Sequence, residues 1–209
     1  MTTAPPPPLE SITAVILAGG KARRMHGEDK GLIELLGRPL LDYIIAGLRP
    51  QVGSILVNAN RNLVRYREFG YRVIEDILDD FCGPLAGMAT AMQAAAATPL
   101  LLTVPCDSPF VPVHLVETLY RAMTATGAEI SVAHDGERMQ QVYALLRCEL
   151  LPDLLDYLEN GGRRVDTWYT QHRTTLADFS ASPEVFLNLN TPQDKQVIEA
   201  KLAAARTIT

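Results

Sequence analysis

The sequence predicts an α/β fold with a mostly parallel central sheet and helices on both faces. Short apolar runs, rich in β-branched residues, alternate with segments of helical character, which is typical of parallel strands joined by helical crossovers. The runs are continuously apolar instead of alternating with polar residues, which indicates strands buried on both faces of the sheet. The 209 residues suffice for one sizeable domain of this kind.

The elements of the first half are marked by residues at their ends. The predicted strands are residues 12–18, 54–57, 71–74, 100–104 and 129–133, and the predicted helices are residues 39–48, 85–97 and 113–125. The Gly19-Gly20 pair ends the first strand, and Pro39 suits the first turn of the helix that follows. An alanine-rich composition gives the second helix a high intrinsic propensity.

The second half is less regular. We predict a strand at residues 144–147, a helix at 150–157, a break at 161–164 and a short strand at 185–190. A terminal helix over residues 191–204 is indicated by an N-cap candidate, Thr191, by Pro192 in the first turn and by the acidic Asp194.

The chain has no internal repeat that we can identify. Residues 1–10 contain four consecutive prolines and are predicted to be a disordered tail, because proline fits neither a sheet nor a helix interior. Residues 11–209 are predicted to form a single domain.

Composition excludes several classes of function. The formal net charge of −5 argues against a nucleic-acid scaffold, and basic residues cluster only locally, which suits a small anionic ligand. The three cysteines form no C-x-x-C pair and the four histidines show no metal-ligand spacing, so we expect a reduced, cytoplasmic setting. No apolar run approaches the ~18 residues of a membrane span. We therefore expect neither nucleic-acid nor membrane partners.

Four polar or glycine positions follow the predicted strands. They are the Gly19-Gly20 pair, Asn58, Asp76 and Asp107. Because the carboxyl ends of parallel strands share one edge of a sheet, where ligands of α/β proteins bind, we expect these positions to meet in one crevice.

The loop at residues 17–31 combines the glycine pair with basic residues. Glycines let backbone N–H groups approach an anion, and Lys30 could fold back over whatever the loop holds. The loop lacks the spacing of a P-loop and of a dinucleotide fold, so by itself it fits either a phosphate site or a solvated turn. Its place after a buried strand favours phosphate.

Asp107 lies between Pro105 and Pro109 at the end of a predicted strand. Its carboxylate suits either an Asx turn or a site for Mg²⁺, which takes one or two protein carboxylates together with substrate phosphates. The neighbouring Cys106 has no histidine placed as a base, which disfavours a thiol nucleophile. Asn190 adjoins a helix start and suits either capping or ligand contact. The polar segment at residues 134–138 suits a surface turn or a substrate loop equally.

Seven motifs that lie in order along the chain, the loop at residues 17–31 and six more, resemble those of the molybdenum cofactor guanylyltransferases, the MobA family. They are Leu17-Ala-Gly-Gly-x-x-x-Arg24-Met25-x-Gly27-x-Asp29-Lys30-Gly31 with Val57-Asn-Ala-Asn60-Arg61, then Val73-Ile-Glu-Asp76, Gly83-Pro-Leu-Ala-Gly87, Pro105-Cys-Asp107-x-Pro109, His134-Asp-Gly-Glu-Arg138 and Asn188-x-Asn190-Thr-Pro192. The family usually has glycine where this chain has His26, a residue that tolerates a positive φ at modest cost.

The resemblance implies a Rossmann-like nucleotidyltransferase that transfers GMP from GTP to the phosphate of molybdopterin and releases pyrophosphate. It divides the domain into a nucleotide-binding half, at about residues 11–133, and an acceptor-binding half, at about 134–209. It also implies partners among other proteins of molybdenum cofactor biosynthesis.

The resemblance further implies roles for single residues. The GTP contacts would be Leu17, Ala18, Gly19, Lys30, Asn58, Asp76 and Asp107. Lys30 and Asp107 would be catalytic, Asp107 would hold Mg²⁺, and Asn190 would be a second contact to the metal or to the pterin phosphate.

Three alternatives stay open. A cytidylyltransferase that acts on the same pterin, or a sugar-1-phosphate nucleotidyltransferase, would use a similar site. The second glycine of the loop and Asp29 resemble the guanine-specific branch and favour GTP. A nucleotide-binding carrier or sensor without catalysis is the third alternative, and the presence of Asp107 disfavours it.

Overall fold

The computed structural model describes residues 6–19, 29–78 and 83–206. The strands are β1 Ile12–Leu17, β2 Glu34–Leu35, β3 Arg38–Pro39, β4 Ser54–Asn58, β5 Arg72–Ile74, β6 Leu100–Pro105, β7 Ile130–His134, β8 Met139–Arg147 and β9 Thr174–Asp178. The helices are α1 Leu40–Leu48, α2 Leu63–Arg67, α3 Pro84–Ala94, α4 Leu115–Thr126, α5 Leu151–Glu159, α6 Val165–Tyr169 and α7 Pro192–Arg206.

Seven strands form the central sheet, in the order β5-β4-β1-β6-β8-β7-β9, and β2 and β3 pair separately. Strands β5, β4, β1 and β6 are parallel to one another, and β9 is parallel to β7. Strand β8 runs antiparallel to both of its neighbours. Six strands therefore have their carboxyl ends at the same edge of the sheet, which confirms the predicted mostly parallel architecture.

The hydrophobic core has two layers, one on each face of the sheet. In β1, Ala14 and Ile16 contact one layer, which contains α1, α4 and α7. Val15 points to the other layer, which contains α3, α5 and α6. Both faces of the strand are thus covered, which explains its continuously apolar sequence. Among the described helices, none is both long and apolar enough to cross a membrane.

The elements predicted in the first half are present with small shifts of their ends, and so are the helices predicted at residues 150–157 and 191–204, which are α5 and α7. The strands of the second half differ from the prediction. The strand predicted at residues 185–190 is wrong, because the chain forms a 3-10 helix at Pro183–Phe186 and pairs with no strand afterwards. Proline at the first position favours that helical turn. The strand predicted at residues 144–147 is the end of the longer β8.

The sequence does not predict five of these elements, namely β2, β3, α2, α6 and β9. Strands β2 and β3 have two residues each, too few to show a pattern. Helices α2 and α6 have five residues each, too short for a helical repeat to be visible in the sequence. Strand β9 lies at an edge of the sheet, and only Ala177 among its residues is buried, so it lacks the apolar signature of the central strands.

The chain before β1 is partly regular. Leu9–Ser11 form a 3-10 helix, in which the Ser11 hydroxyl donates to the carbonyl oxygen of Pro8 at 2.6 Å. Residues 9 and 10 therefore have regular structure, whereas the sequence predicts them to be part of the disordered tail. Residues 1–5 lie outside the described ranges, and the division into a tail and a single domain stays a prediction.

Gly87 in α3 packs against the carboxyl ends of β1 and β4. A Cβ atom there would lie 2.4 Å from Asn58 Oδ1 and 2.8 Å from Leu17 Cδ2. Gly87→Ala should therefore lower the free energy of unfolding by about 1–3 kcal/mol through overpacking, even though alanine is the better helix former. Urea unfolding measures the change.

The control is Gln93→Ala at an exposed position of the same helix, which should change the stability by less than about 0.5 kcal/mol. A Gly87→Ala protein as stable as the unchanged chain, or more stable, would contradict this account of the packing.

Candidate active site

A cavity of about 270 Å³ opens at the edge of the sheet where the carboxyl ends of the parallel strands meet. Seven of the eight predicted site residues line it, namely Leu17, Ala18, Gly19, Lys30, Asn58, Asp76 and Asp107. The eighth, Asn190, reaches the site through a hydrogen bond to Lys30. The structure thus brings together residues that are up to 173 positions apart in the chain, from Leu17 to Asn190.

One end of the cavity is built by amides around a carboxylate. Asn58 Nδ2 donates to Asp76 Oδ1 at 2.8 Å, and Asn60 Nδ2 donates to Asp76 Oδ2 at 2.7 Å. The Asp76 backbone N–H donates in return to Asn60 Oδ1 at 2.9 Å. Both oxygens of the carboxylate are therefore oriented, while each keeps a lone pair for a ligand. We call Asn58, Asn60 and Asp76 the amide–carboxylate group.

The sheet itself positions Asn58. It is the last residue of β4, only 2% exposed, and its carbonyl oxygen accepts a hydrogen bond from the Ala18 backbone N–H at 2.8 Å. Gly19 follows directly, and a Cβ atom on it would lie 3.0 Å from Asn60 Nδ2 and 3.2 Å from Asn58 Oδ1. Any larger residue at position 19 would therefore press on the two amides, and glycine lets the backbone pass close to them.

The other end of the cavity holds a lysine between two oxygen groups. Lys30 Nζ donates to Asp107 Oδ2 at 2.9 Å and to Asn190 Oδ1 at 2.6 Å. The side chains of Lys30 and Asp107 are 23% and 21% exposed, so the pair is partly shielded from water and open to a ligand. We call Lys30, Asp107 and Asn190 the lysine cluster.

Two further contacts fix the lysine cluster. The Leu189 backbone N–H donates to the Asp107 carbonyl oxygen at 2.7 Å, which ties the segment before α7 to the end of β6. The Asp194 carboxylate accepts from the backbone N–H groups of Asn190 and Thr191, at 3.0 and 2.8 Å. These hydrogen bonds, first that from Asn190, hold the pKa of Asp194 below its usual range. Capping of α7 therefore also orients Asn190 toward the cavity.

Asp29, which resembles the guanine-specific branch of the family, is held by side chains that follow β4. Its side chain is 3% exposed, forms an ion pair with Arg61, and accepts a hydrogen bond from Asn62 Nδ2 at 2.8 Å. A buried carboxylate needs such partners. The connection after β4 thus anchors the residue directly before Lys30. The signal available in the sequence is the segment at residues 58–62, which is polar except for Ala59.

Cys106 lies beside Asp107 but lacks the properties of a nucleophile. Burial, and to a lesser degree the charge of Asp107, raise the pKa of its thiol to about 12. The thiol therefore stays protonated near neutral pH, and only a thiolate would attack a substrate. This agrees with the sequence, which offers no histidine as a base.

The Asp107 carboxylate has the right chemistry for Mg²⁺. Across the described ranges, no three His, Cys, Asp or Glu side chains converge as a metal cluster. An ion here would take one carboxylate from Asp107, with the amide oxygen of Asn190 as a further hard ligand, and would complete its shell with phosphate and water oxygens. Mg²⁺ commonly binds in this way in nucleotide enzymes, so the residues fit.

The turn after β7 lies at the same edge of the sheet. Its Asp135 carboxylate accepts from the backbone N–H groups of Glu137 and Arg138, at 2.9 and 2.8 Å. These contacts, chiefly that from Arg138, lower the pKa of Asp135. Asp135 is thus occupied in shaping the turn.

Part of the loop at residues 17–31 lies outside the described ranges. Gly20, the basic residues Lys21, Arg23 and Arg24, and the unusual His26 all fall there. The α3 N-terminus is described, and its Gly83 and Pro84 border the cavity. The partial positive charge of a helix N-terminus favours an anionic ligand at this position.

Comparison with known proteins places this site in a family. Residues 14–175 match the model of the MobA-like NTP transferase domain. The molybdenum cofactor guanylyltransferase of Shewanella sp. (strain MR-4) is 50% identical over 191 residues, which cover 91% of this chain and 96% of that protein. The molybdenum cofactor guanylyltransferase of Shewanella sediminis (strain HAW-EB3) is 48% identical over 192 residues, 92% of this chain and 97% of that protein.

A solved structure agrees on the fold. The crystal structure of molybdopterin-guanine dinucleotide biosynthesis protein A from Archaeoglobus fulgidus superposes with a TM-score of 0.74 at 19% identity, and the match covers 92% of this chain and 99% of that chain. At this identity the likeness concerns the Rossmann-like nucleotidyltransferase fold. The sequence relatives are far more similar, and the family model spans most of the chain. The chain therefore belongs to the MobA-like NTP transferases and, within them, to the molybdenum cofactor guanylyltransferases.

Proposed function

We propose that the protein transfers GMP from GTP to the terminal phosphate of molybdopterin and releases pyrophosphate. The observation that carries this proposal is the lysine cluster, in which Lys30 Nζ lies 2.9 Å from Asp107 Oδ2 in a cavity that also holds the amide–carboxylate group. A lysine ammonium beside a carboxylate that can bind Mg²⁺ suits a triphosphate ligand. The names of the sequence relatives support GTP and molybdopterin as the substrates.

The transfer requires positioning more than covalent catalysis. An oxygen of the molybdopterin phosphate attacks the α-phosphorus of GTP, the bond from that phosphorus to the bridging oxygen breaks, and pyrophosphate leaves with both electrons of the bond. The attacking phosphate is already an anion, so no protein nucleophile is needed, in keeping with the protonated thiol of Cys106. The protein must align the two phosphates and offset the negative charge that develops.

Lys30 is the residue best placed to offset that charge. Its ammonium is already held by two oxygen acceptors, so little reorganisation is needed when phosphate oxygens take their place. The Gly19 backbone N–H, together with the N-terminus of α3, would add positive potential around the triphosphate.

Asp107 would hold Mg²⁺, with Asn190 as a second oxygen ligand. When bound, the ion supplies positive charge to the phosphate oxygens. The ion pair brings the Lys30 ammonium close to the Asp107 carboxylate, so the charges of the lysine and of the ion would both act on the phosphate oxygens of GTP.

The amide–carboxylate group would recognise the base. Guanine presents two N–H donors on its pairing edge, and a carboxylate is a pure acceptor. Asp76 is oriented by the amides of Asn58 and Asn60, which leaves its remaining lone pairs for such donors. Cytosine presents acceptors at the matching positions, so this chemistry favours GTP over CTP.

The location and the protein partners stay predictions. We expect the protein in the cytoplasm and, as partners, other proteins of molybdenum cofactor biosynthesis.

Lys30→Ala tests the role of the ammonium. We expect kcat/KM for GMP transfer to fall by about 10²- to 10³-fold, because removal of one charge-stabilising donor typically has this effect. Pyrophosphate release measures the rate, and thermal unfolding shows whether the fold is kept. Lys201→Ala on the exposed surface of α7 is the control and should leave the rate unchanged. Activity of the Lys30 variant within twofold of the parent protein would rule out this assignment.

Asp107→Asn tests the metal site, since it removes the charge of the carboxylate and keeps its shape. Loss of an outer-shell partner alone often costs about 10–100-fold in metal affinity, so loss of the ligand itself should raise the Mg²⁺ concentration for half-maximal rate by at least tenfold. Initial rates are measured across a Mg²⁺ titration. Asp156→Asn, at an exposed position of α5, serves as the matched control. An unchanged Mg²⁺ dependence in the Asp107 variant is the result that would refute a metal role.

A further inference from the structure

Strand β8 departs from regular pairing at its active-site end. Val132 of β7 pairs with Ala144, whereas the next residue, Ala133, pairs with Gln140. The pairing of β8 with β6 ends where Thr103 lies opposite Ala144. Residues 141–143 therefore have no ladder partner on either neighbouring strand, and we call them the bulge segment. Bulges of this kind are common beside active sites, where they turn a side chain in a new direction.

Two buried hydroxyl groups hold the bulge segment. Thr103 Oγ1 donates to the Val142 carbonyl oxygen at 2.6 Å, and the Tyr169 hydroxyl donates to the Gln141 carbonyl oxygen at 2.9 Å. Thr103 and Tyr169 are 0% and 1% exposed. Burial raises the pKa of Tyr169, so its hydroxyl stays protonated and remains a donor. Strand β6 and helix α6 thus fix consecutive carbonyl groups of the bulge segment from two directions.

The bulge segment places one residue at the cavity. Among the described residues that line the cavity, Val142 is the one that comes from the part of the chain after Asp107. It is half-buried, while its neighbours Tyr143 and Ala144 belong to the two core layers. The bulge has therefore taken Val142 out of the core and made it part of the wall of the cavity.

The order of the strands shows which substrate this wall would face. The amide–carboxylate group lies at the ends of β4 and β5, and the phosphate-binding features follow at the ends of β1 and β6. The next strand in the sheet is β8. In an in-line transfer the attacking and leaving oxygens lie on opposite sides of the phosphorus. A nucleotide that extends from β5 to β6 therefore leaves the β8 side for the acceptor.

We infer that the bulge segment forms the wall of the acceptor subsite, with Val142 against the planar ring system of the acceptor and with Thr103 and Tyr169 as positioning residues. The inference rests on the proposed function, since it concerns the substrate that receives the nucleotide. The segment carries no charged side chain. It therefore suits an uncharged heterocycle such as a pterin ring, whereas the phosphate of the same acceptor belongs near Lys30.

Two nearly isosteric variants test the positioning role, because Thr103→Val and Tyr169→Phe each remove one hydroxyl and little volume. We expect each to raise KM for molybdopterin by about fivefold or more and to leave KM for GTP within twofold. Initial rates with freshly released molybdopterin, GTP and Mg²⁺ give both constants. A purely structural role would change both KM values or only the thermal midpoint.

The control is Ser131→Ala on the neighbouring β7. Its buried hydroxyl oxygen has no hydrogen-bond partner among the described residues, so its removal should change neither KM. If either hydroxyl variant fails to fold, Val142→Thr decides the question, because it leaves both hydroxyl contacts in place and makes the wall polar. It should raise KM for molybdopterin selectively.

The outcomes separate the two proposals. An active parent protein whose three variants all keep the parental KM for molybdopterin would overturn the acceptor wall alone. Equal rises in both KM values would also overturn it. A parent protein that transfers nothing to molybdopterin would overturn the proposed function, and this inference with it.

Discussion

The contact on which the site depends is the hydrogen-bonded ion pair of Lys30 with Asp107, extended to Asn190. Lys30 follows the loop after β1, Asp107 follows β6, and Asn190 precedes α7. The ammonium of Lys30 therefore connects residues that are 77 and 160 positions away in the sequence. Removing a cation and a carboxylate partly from water is costly unless each finds a partner. Here the partners satisfy one another and remain accessible, so the cluster can exchange one set of oxygen ligands for another.

The rest of the fold serves to bring these three groups within hydrogen-bond distance. Strands β1 and β6 are neighbours and parallel, so their carboxyl ends, and the residues after them, lie side by side. The connection after β4 anchors Asp29 and so fixes the position of the backbone at the next residue, Lys30. The capping of α7 by Thr191 and Asp194 orients Asn190. Strand pairing, an anchored loop residue and a helix cap are each common in proteins. Together they place the three groups at one edge of the sheet.

The parallel half of the sheet can be predicted because burial on both faces is visible in the sequence of its strands. A strand that is covered on both faces is mostly apolar, and β1 and β6 show this, with one threonine each, Thr13 and Thr103. From parallel strands it follows that Asn58, Asp76 and Asp107 share an edge, so their meeting could be expected before any coordinates. The same reasoning does not reach Asn190, because the segment that carries it is outside the sheet.

Other features depend on tertiary contacts that leave little trace in a single sequence. The edge strand β9 has one buried residue, and the bulge segment is defined by a change of register that no local pattern records. The partners of Asp29 and Asp76 lie 16–33 residues away, and their polar side chains resemble those of any surface loop. The motif resemblance drew attention to Asn60 and Arg61, but only geometry distinguishes an orienting amide from a solvated one.

The function proposed for this cavity is the transfer of a guanylyl group from GTP to a pterin phosphate. The most direct measurement uses GTP labelled at the α-phosphate, with molybdopterin and Mg²⁺, and follows label in the pterin product together with released pyrophosphate. We expect one pyrophosphate for each label transferred, and a rate with GTP that exceeds the rate with CTP by about tenfold or more. Pyrophosphate without labelled pterin, or faster transfer from CTP, would rule out guanylyl transfer as the function.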